Sequence, residues 1–289
     1  MSPEQTNNLS HVENYRPQLL SIAYKLLGSV ADAEDVVQDA LLDVVQKVQQ
    51  GKEIENMGGY LATATVHTSL NLLKKQRRDQ YPGVWLPEPY EWSHTLVEAQ
   101  LDVPYSFVYL LSELNPKERA VYLLRKSFDL PYADIAEQLD LSESACRKLE
   151  QRARKKLVET EKLQIVSLEQ KQQLVAAFLQ ATQQGDVSAL TRLLREDIVI
   201  YSDGGGKKVA ATRPIMGLDR CIKFILGIYQ KESSATSVQF RSTSHEIRLH
   251  IFQRGQLDTV ILLATKSNQI QTVYLQRNPD KLSRLTANK

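Results

Sequence analysis

Residues 131–157 read PYADIAEQLDLSESACRKLEQRARKKL. This stretch predicts a short helix over 131–139, a tight turn over 140–142 and a longer helix over 143–160 that Ser142 caps. Two helices joined by such a turn form a helix-turn-helix. The chain around them is expected to be helical, and the second helix is expected to enter the major groove of DNA.

The longer helix has an apolar face and a polar face. Apolar residues recur every four positions and are expected to face the core: Ala145, Leu149, Ala153 and Leu157. The outward side chains are predicted to bind DNA, and they are Glu143, Ser144, Arg147, Lys148, Gln151, Arg154 and Lys155. Arg147 and Lys148 suit guanine or phosphate, and Gln151 suits adenine. A solvated basic helix end is the alternative, but the preceding helix and turn favour DNA.

Residues 12–80 predict three more helices. The first ends at Gly28, and the second carries an apolar stripe from Val36 to Val48. Glycines are expected to frame a loop before the third helix, which is predicted over 60–77; they are Gly51, Gly58 and Gly59.

Two sets of polar residues on these helices are candidate binding surfaces. Asp35, Asp39 and Asp43 repeat every four residues, which costs helix stability because like charges at this spacing repel. From spacing alone, a docking face for a basic partner helix and a solvated surface are equally good interpretations. The third helix combines an aromatic, polar groups and cations that suit unstacked bases and their backbone: Tyr60, Thr63, His67, Asn71, Lys74, Lys75 and Arg78.

Two further parts of the chain differ from these helices in composition. Residues 81–105 hold the two tryptophans and several prolines, which predicts a linker that docks onto another surface. Residues 161–289 predict an α+β domain with strands over 197–202, 236–242, 246–253, 257–265 and 269–276 and helices over 168–184 and 217–230. Asp203–Lys207 reads DGGGK, which lacks the spacing of a phosphate-binding loop and predicts a flexible turn.

Composition restricts the class of protein. The chain has 289 residues, which suggests about two domains. Cys146 and Cys221 are too few for a disulfide framework, and no secretory signal or apolar span occurs, so a cytoplasmic protein is expected. No catalytic or metal-ligating set converges by spacing, and no catalytic residue, metal or cofactor is expected.

The net charge of +2 is unevenly distributed. Residues 1–160 hold 18 Lys and Arg against 23 Asp and Glu, whereas residues 161–289 hold 18 against 11. A protein that coats nucleic acid would be basic throughout its binding half. Any contact with DNA is therefore expected to come from small basic patches.

The order of these parts resembles a known family. YRPQLLSIAYKLLGSVADAEDVVQDALLDVV at 15–45 is similar to region 2 of sigma-70 factors of the extracytoplasmic-function type, and LNPKERAVYLLRKSFDLPYADIAEQLDLSESACRKLEQRARKKL at 114–157 resembles their region 4. WLPEP at 85–89, DGGGK at 203–207 and NPDKL at 278–282 resemble a SigJ-like subgroup with a SnoaL-like domain fused at the C-terminus.

The resemblance implies a multidomain fold. Two all-α sigma domains, a region 2 bundle over 1–80 and a region 4 helix-turn-helix over 106–160, are joined by a linker over 81–105. A cone-shaped α+β SnoaL-like regulatory domain is expected over 161–289.

The resemblance also implies roles for the residues. The β′ subunit of core RNA polymerase would bind Asp35, Gln38, Asp39 and Asp43, and the β subunit is the other expected polymerase partner. The third helix would melt and read the −10 promoter element, and the helix at 143–156 would read the −35 element. A regulatory contact is expected between linker and glycine loop, comprising Trp85, Leu86, Pro87, Glu88, Pro89, Asp203, Gly204, Gly205, Gly206 and Lys207.

The function implied is promoter-specific initiation by a sigma factor under the control of its fused domain. The expected partners are core RNA polymerase, promoter DNA and a small-molecule ligand of the C-terminal domain, with no membrane, and the free protein is expected to be a monomer. Two alternatives remain open: a ligand-sensing helix-turn-helix regulator that acts without polymerase, and a fused isomerase or hydrolase over 170–289. An apolar pocket without a convergent acid and base would count against the enzyme.

Overall fold

A computed structural model describes residues 12–52, 54–76, 80–90, 103–161, 167–231, 236–243 and 245–287. The chain forms two compact units. The helical unit comprises the described parts of 1–77 and 107–160. The sheet unit comprises the described parts of 78–91, 103–106 and 161–289, so the first part of the linker belongs with the C-terminal half.

The first part of the helical unit is a bundle of three helices. A 3-10 turn at Glu13–Tyr15 leads into helix α1, Arg16–Leu27, which is followed by α2, Val30–Gln49, and α3, Met57–Lys75. Gly28 ends α1 in the left-handed conformation, and the Ser29 side chain caps α2 by accepting from the Asp32 amide. The bundle core is formed by fully buried side chains from all three helices, including Leu19, Ile22, Leu26, Val37, Val44 and Leu61.

A loop precedes α3 as predicted, but it ends earlier than expected, because Gly58 and Gly59 lie in the first turn of the helix. The Asn56 side chain caps that turn by accepting from the Gly59 amide at 2.9 Å. A Cβ atom on Gly58 would lie 2.9 Å from the Tyr15 ring. Glycine at position 58 therefore allows a helix to approach an aromatic ring closely. From the sequence alone, a glycine in this role looks the same as a glycine in a loop.

The second part of the helical unit contains the helix-turn-helix. Helix α4, Tyr105–Ser112, begins in the sheet unit and continues into the helical unit, where α5, Pro116–Ser127, follows it. Helices α6, Tyr132–Gln138, and α7, Glu143–Glu161, are then joined by a turn in which Asp140 has a positive φ of 52°. The predicted helix-turn-helix is confirmed.

The core face of α7 differs from the predicted four-residue repeat. Ala153 and Leu157 are buried as expected, but Ala145 and Leu149 are half-buried. Glu150 and Cys146 occupy the buried positions one turn and two turns before Ala153. A strict repeat of four drifts around a helix by about 40° per step, because four residues exceed one turn of 3.6. The contact face therefore follows positions 146, 150, 153 and 157.

The side chain of Arg119 ties three helices together. It is 2% exposed and donates to the carbonyl of Leu26 near the end of α1. The same guanidinium donates to the carbonyls of Ser112 at 2.8 Å and Leu114 at 3.2 Å, at the end of α4. Arg119 on α5 therefore satisfies the carbonyl groups that the ends of two other helices leave without intrahelical partners.

The sheet unit has an α+β fold. Helices α8, Leu168–Gln184, and α9, Val187–Leu193, precede strands β1, Leu194–Asp203, and β2, Ile215–Met216. Helix α10, Leu218–Tyr229, is followed by β3, Thr236–Ser242, β4, Ile247–Gln253, β5, Gln256–Lys266, β6, Gln269–Gln276, and helix α11, Pro279–Ala287. The strand order is β2-β1-β6-β5-β4-β3, and β1 is parallel to β6 whereas the other pairs are antiparallel.

One face of this sheet packs on helices α8, α9 and α10. The buried core includes Phe178, Leu190 and Ile222 from the helices, and Ile198 and Val273 from the strands. The predicted fold class, two all-α parts followed by an α+β cone, is confirmed.

Sequence patterns missed the shorter elements α9, β2 and α11. An apolar pattern over seven residues or fewer is weak, as in α9 and β2. Among the described residues, no helix is both long and apolar enough to cross a membrane.

Candidate functional sites

The linker residues 81–90, which we call the linker segment, are held through their main chain by the sheet unit. The Leu86 amide donates to Asp203 Oδ2 at 2.9 Å, and the Leu86 carbonyl accepts from Lys281 Nζ at 2.6 Å. The Pro87 carbonyl accepts from the hydroxyl of Tyr105 at 2.8 Å and from Gln276 Nε2 at 3.2 Å. Main-chain bonds on both sides fix the path of the segment, and the Leu86 side chain is fully buried.

Asp203, the last residue of β1, is the centre of this contact. Its side chain is fully buried and accepts from Lys281 Nζ at 2.7 Å and from the Tyr81 hydroxyl at 2.6 Å. It also accepts from the amide of Gly205 at 2.9 Å. A buried carboxylate is stable only when it is paired and hydrogen-bonded, and these donors meet that requirement.

Lys281 on α11 supplies the compensating charge. Its ammonium lies 4.4 Å from the centre of the Trp85 ring and 4.8 Å from that of the Tyr81 ring, so two aromatic faces of the linker segment enclose it. Burial and the hydrogen bond that Tyr81 donates to Asp203 raise the pKa of Tyr81, so its hydroxyl remains a donor. We call Tyr81, Trp85, Leu86, Asp203 and Lys281 the linker clasp.

The glycines after Asp203 are required by close packing. A Cβ atom on Gly204 would lie 2.1 Å from the Lys208 carbonyl oxygen. Gly205 and Gly206 have positive φ values of 61° and 70°. A Cβ atom on Gly205 would overlap the Asn278 side chain, and one on Gly206 would lie 2.8 Å from Pro82 of the linker segment. The turn therefore packs closely against Asn278 and against Pro82 of the linker segment, and a residue larger than glycine would prevent this packing.

The rest of the predicted regulatory set lies around the clasp. Pro87, Glu88 and Pro89 are buried in the sheet unit. Lys207 is the exception, because its ammonium pairs with Asp280 at 2.6 Å and both side chains are more than half exposed.

Sequence reasoning did not include Tyr81, Gln276 or Lys281 in the regulatory set. Lys281 lies in the motif at 278–282, and that motif was a sequence signal for it. Asn278 of the same motif donates to the Tyr81 hydroxyl at 3.0 Å. Gln276 lies in a strand pattern that carries no such signal.

A second set of contacts, from Glu246 and Arg248 at the start of β4, holds the main chain of Tyr90 and Tyr105. Arg248 donates to the Tyr90 carbonyl at 2.6 Å and pairs with Glu246 at 2.7 Å. Glu246 accepts from the Tyr105 amide at 2.9 Å. His250, two residues along β4, has its pKa lowered to about 4 by burial and by the nearby charges of Arg248 and Arg241. It is therefore neutral in the folded protein near pH 7.

The predicted DNA-reading side chains of α7 form an exposed surface. Glu143, Ser144, Arg147, Lys148, Gln151, Arg154 and Lys155 are all exposed. Arg147 lies over the ring of Tyr132 with 4.5 Å between its guanidinium carbon and the ring centre, and it pairs with Glu143 at 3.1 Å. The buried Glu150 accepts from Tyr132 and pairs with Arg154 at 2.6 Å. This network fixes α7 against α6 and orients two of its arginines.

The predicted −10 residues on α3 are partly covered within the helical unit. Thr63 donates to the side chain of Gln138 on α6, and His67 hydrogen-bonds to the Gln138 carbonyl. Tyr60 accepts from Lys47 at 3.0 Å. Asn71, Lys74 and Lys75 are exposed, and Arg78 lies outside the described residues.

The predicted polymerase-binding residues lie along the outer face of α2. Asp35, Gln38 and Asp39 are exposed, and Gln38 accepts from Arg16 at 3.0 Å. Asp43 pairs with Lys47 at 2.6 Å. Leu42 lies beside them and is 48% exposed.

One apolar cavity of the sheet unit has no catalytic pair among its described lining residues. It lies between the sheet and helices α8 and α10, and Thr182 and Tyr229 are its polar lining residues. The hydroxyl of Thr182 donates to the Phe178 carbonyl at 2.8 Å within its own helix. No carboxylate or imidazole is among the described lining residues, which counts against the isomerase alternative. In the described part of the chain, no three His, Cys, Asp or Glu side chains are placed to hold a metal ion.

A helix-turn-helix with an exposed basic helix, joined to a helical bundle with an acidic face, defines a DNA-binding transcription protein. Residues 11–79 match the family Sigma-70 region 2, and residues 106–157 match Sigma-70, region 4. The ECF RNA polymerase sigma factor SigJ of Mycobacterium tuberculosis is 34% identical over 236 residues, covering 77% of this chain and 73% of that protein. The probable ECF sigma factor SigI of the same organism is 26% identical over 281 residues, 94% of each chain.

The crystal structure of M. tuberculosis SigJ is similar over nearly the whole length. It superposes with a TM-score of 0.74 at 27% identity and covers 95% of this chain and 98% of that one. This chain belongs to the extracytoplasmic-function sigma factors of RNA polymerase, within the sigma-70 family. It is a transcription initiation factor and not an enzyme, and its partners are core RNA polymerase and promoter DNA.

Proposed function

We propose that the sheet unit regulates this sigma factor by holding the linker segment. The observation that carries the proposal is the buried ion pair of Asp203 and Lys281, which clamps the amide and carbonyl of Leu86. A segment whose main chain is bonded to the sheet unit is not available to another partner. By family resemblance, the linker of a sigma factor enters the polymerase, so the clasp and the polymerase compete for it.

The helical unit must also open before it reads a promoter. The −10 and −35 elements are centred about 25 base pairs apart, which is ~85 Å of duplex at 3.4 Å per base pair. Thr63 and His67 contact Gln138, which lies five residues before the start of α7. We therefore infer that the contact between α3 and α6 belongs to a closed state of the free, monomeric protein.

The exposed face of α7 is proposed to read the −35 element. Arg147 and Lys148 are assigned to guanine or phosphate, Gln151 to adenine, and Arg154 and Lys155 to phosphate. The face of α3 is proposed to bind the −10 element as single strand, through the stacking surface of Tyr60 and the cations at its C-terminal end.

The acidic face of α2 is proposed to dock on the β′ subunit. Reversing the charges of Asp35 and Asp39 to arginine is expected to weaken binding to core RNA polymerase at least about tenfold, because charge complementarity governs such encounters. Binding is measured by titrating fluorescently labelled sigma factor with core enzyme. Reversal of Glu137, an exposed acidic residue on α6, serves as the matched control, and equal loss in both proteins would contradict the assignment.

Transcription from a cognate promoter tests the regulatory proposal. Lys281→Met keeps the length of the side chain but removes the charge that pairs with Asp203, so it is expected to release the linker segment and to change promoter output severalfold. Lys207→Met removes the exposed ion pair between Lys207 and Asp280, the residue next to Lys281. Because exposed ion pairs contribute little, this variant is expected to leave promoter output unchanged. Identical output from wild type and Lys281→Met, with intact binding to core enzyme, would refute regulation through the clasp.

A further inference from the structure

The sheet unit has a polar cleft at the turn between β4 and β5. Its volume is about 350 Å³, which lies at the lower end of the ~300–1,000 Å³ range of clefts that hold small molecules. The walls come from the loop after the glycine turn, from the end of α10 and from the hairpin itself. The polar lining residues are Lys208, Lys231, Gln253, Arg254, Gln256 and Asp258.

The cleft carries an excess of positive charge. Three cationic side chains line it, and Asp258 is the single carboxylate among the described lining residues. Asp258 is already neutralised, because it pairs with Lys208 and, at 3.2 Å, with Arg277. Among the described residues, no carboxylate pairs with Lys231 or Arg254. Two cations are therefore left to bind an anion.

The hairpin turn holds an arginine at a position that favours other residues. Arg254 has a positive φ of 52° and forms the two-residue turn with Gly255, whose φ is 78°. Turns of this kind favour asparagine, aspartate and glycine, because a longer side chain crowds its own backbone there. Gln253 and Gln256 pair directly across the turn, so their amide groups lie on the same face of the hairpin. The turn therefore presents a guanidinium, at a conformational cost, beside two neutral hydrogen-bonding groups.

We propose that this cleft binds a small molecule through a phosphate or diphosphate group. Guanidinium and ammonium groups bind phosphate oxygens through charge-assisted hydrogen bonds, which are stronger than neutral ones. Residues 161–289 hold 18 Lys and Arg against 11 Asp and Glu, and a cleft in a basic domain concentrates anions. The concave shape and the volume of the cleft favour a small molecule over the backbone of a DNA duplex.

The cleft adjoins the glycine turn of the linker clasp. The Lys208 amide donates to the Gly204 carbonyl at 3.0 Å, in the turn that follows Asp203. Arg277, the second partner of Asp258, donates its amide to the Asp203 carbonyl at 2.7 Å. A bound phosphate would compete with Asp258 for Lys208, and these two main-chain contacts would carry the change to Asp203. This coupling, unlike the binding site itself, rests on the proposed regulatory role of the sheet unit.

Titration of the full-length protein with pyrophosphate tests the site. Isothermal titration calorimetry at low salt is expected to show saturable binding, and the affinity is expected to fall as salt is added, because salt screens exposed charges. Pyrophosphate is also expected to raise the thermal midpoint, since a ligand that binds only the folded state stabilises it. Absence of saturable binding would overturn the proposal.

Arg254→Asn removes the guanidinium without disturbing the hairpin, because asparagine is favoured in such turns. The variant is expected to fold and to bind pyrophosphate at least about tenfold more weakly, since hydrogen bonds to charged groups contribute most. Circular dichroism checks the fold. Unchanged affinity in folded Arg254→Asn would place pyrophosphate elsewhere and refute the site.

A pair of lysine variants separates the cleft from the general charge of the domain. Lys231→Gln removes a cation that lines the cleft, whereas Lys223→Gln removes an exposed cation of α10 that does not line it. Only Lys231→Gln is expected to weaken binding of pyrophosphate. Equal losses in the two variants would mean that net charge alone attracts the anion, and the proposal would be wrong.

Binding of duplex DNA distinguishes a small phosphorylated molecule from the phosphates of a nucleic-acid backbone. Arg254→Asn is expected to bind a duplex as wild type does, because the proposed DNA contacts lie on α3 and α7. If its affinity for the duplex fell as far as its affinity for pyrophosphate, the cleft would belong to a DNA-binding surface. That result would also overturn the proposal.

Trp85 reports separately on the coupling. Trp92→Phe leaves Trp85 as the single tryptophan of the chain, within the linker clasp. Pyrophosphate is expected to change its fluorescence in this background, but not when Arg254→Asn is added. Saturable binding without a change in fluorescence or in promoter output would retain the phosphate site and contradict only its link to regulation.

Discussion

Replacing Asp203 with alanine is expected to release the linker segment and to lower the unfolding free energy of the sheet unit by about 3–5 kcal/mol. Lys281, which is 14% exposed in the wild type, loses the carboxylate of Asp203, and the substitution also removes the acceptor of the Tyr81 hydroxyl and of the Leu86 amide. Breaking a buried ion pair costs more than the pair contributes, because one charge stays buried without compensation. Asp203→Asn keeps the shape and one acceptor oxygen and is expected to cost less.

Urea unfolding of the full chain measures this effect. The Trp92→Phe background leaves Trp85 as the single tryptophan of the chain, so its fluorescence reports the unfolding of the sheet unit and the linker clasp. The urea midpoint of this unfolding transition should fall for Asp203→Ala. Asp280→Ala, which removes the exposed partner of Lys207, is the matched carboxylate control and should leave the midpoint in place. A midpoint for Asp203→Ala within error of wild type would mean that the clasp does not hold the linker segment.

Replacing Arg119 with alanine is expected to lower the unfolding free energy of the helical unit by about 3–5 kcal/mol, because a buried polar group left without its partner costs about 1–3 kcal/mol. Carbonyl groups at the ends of α1 and α4 lose a donor together, since one guanidinium serves Leu26, Ser112 and Leu114. The substitution also leaves a cavity where a fully buried side chain packed.

Loss of helical circular dichroism in urea is the measurement for Arg119→Ala. Arg125→Ala lies on the same helix, and its half-buried side chain pairs with the exposed Asp129, so it is the control and should cost much less. If the two variants unfolded at the same urea concentration, the three carbonyl groups would not depend on Arg119.

The sequence by itself determined most of the secondary structure and the class of protein. The helix-turn-helix followed from a short helix, a turn and the Ser142 cap, all of which are local signals. Arg254–Gly255 and Ser267–Asn268 join antiparallel strands as two-residue turns, and all four residues have the positive φ angles that such turns require. The exposed basic face of α7 required only helical periodicity. Local propensity suffices where neighbouring residues decide the conformation.

Only the tertiary structure decided which distant residues meet. Gly58 and Gly59 read as loop residues, but they allow Tyr15 and Asn56 to approach the start of a helix. The four-residue repeat on α7 placed Ala145 in the core, whereas Cys146 is buried because a helix turns every 3.6 residues.

The linker clasp could not be read from spacing for a different reason. Its partners are 117 positions apart at Leu86 and Asp203 and 78 positions apart at Asp203 and Lys281. No local signal links such positions. A buried charge requires a partner, but its position in the sequence does not identify which residue that partner is. The folding of β1, β6 and α11 into one unit brings the carboxylate, the lysine and the linker main chain together, and that packing selects the partners.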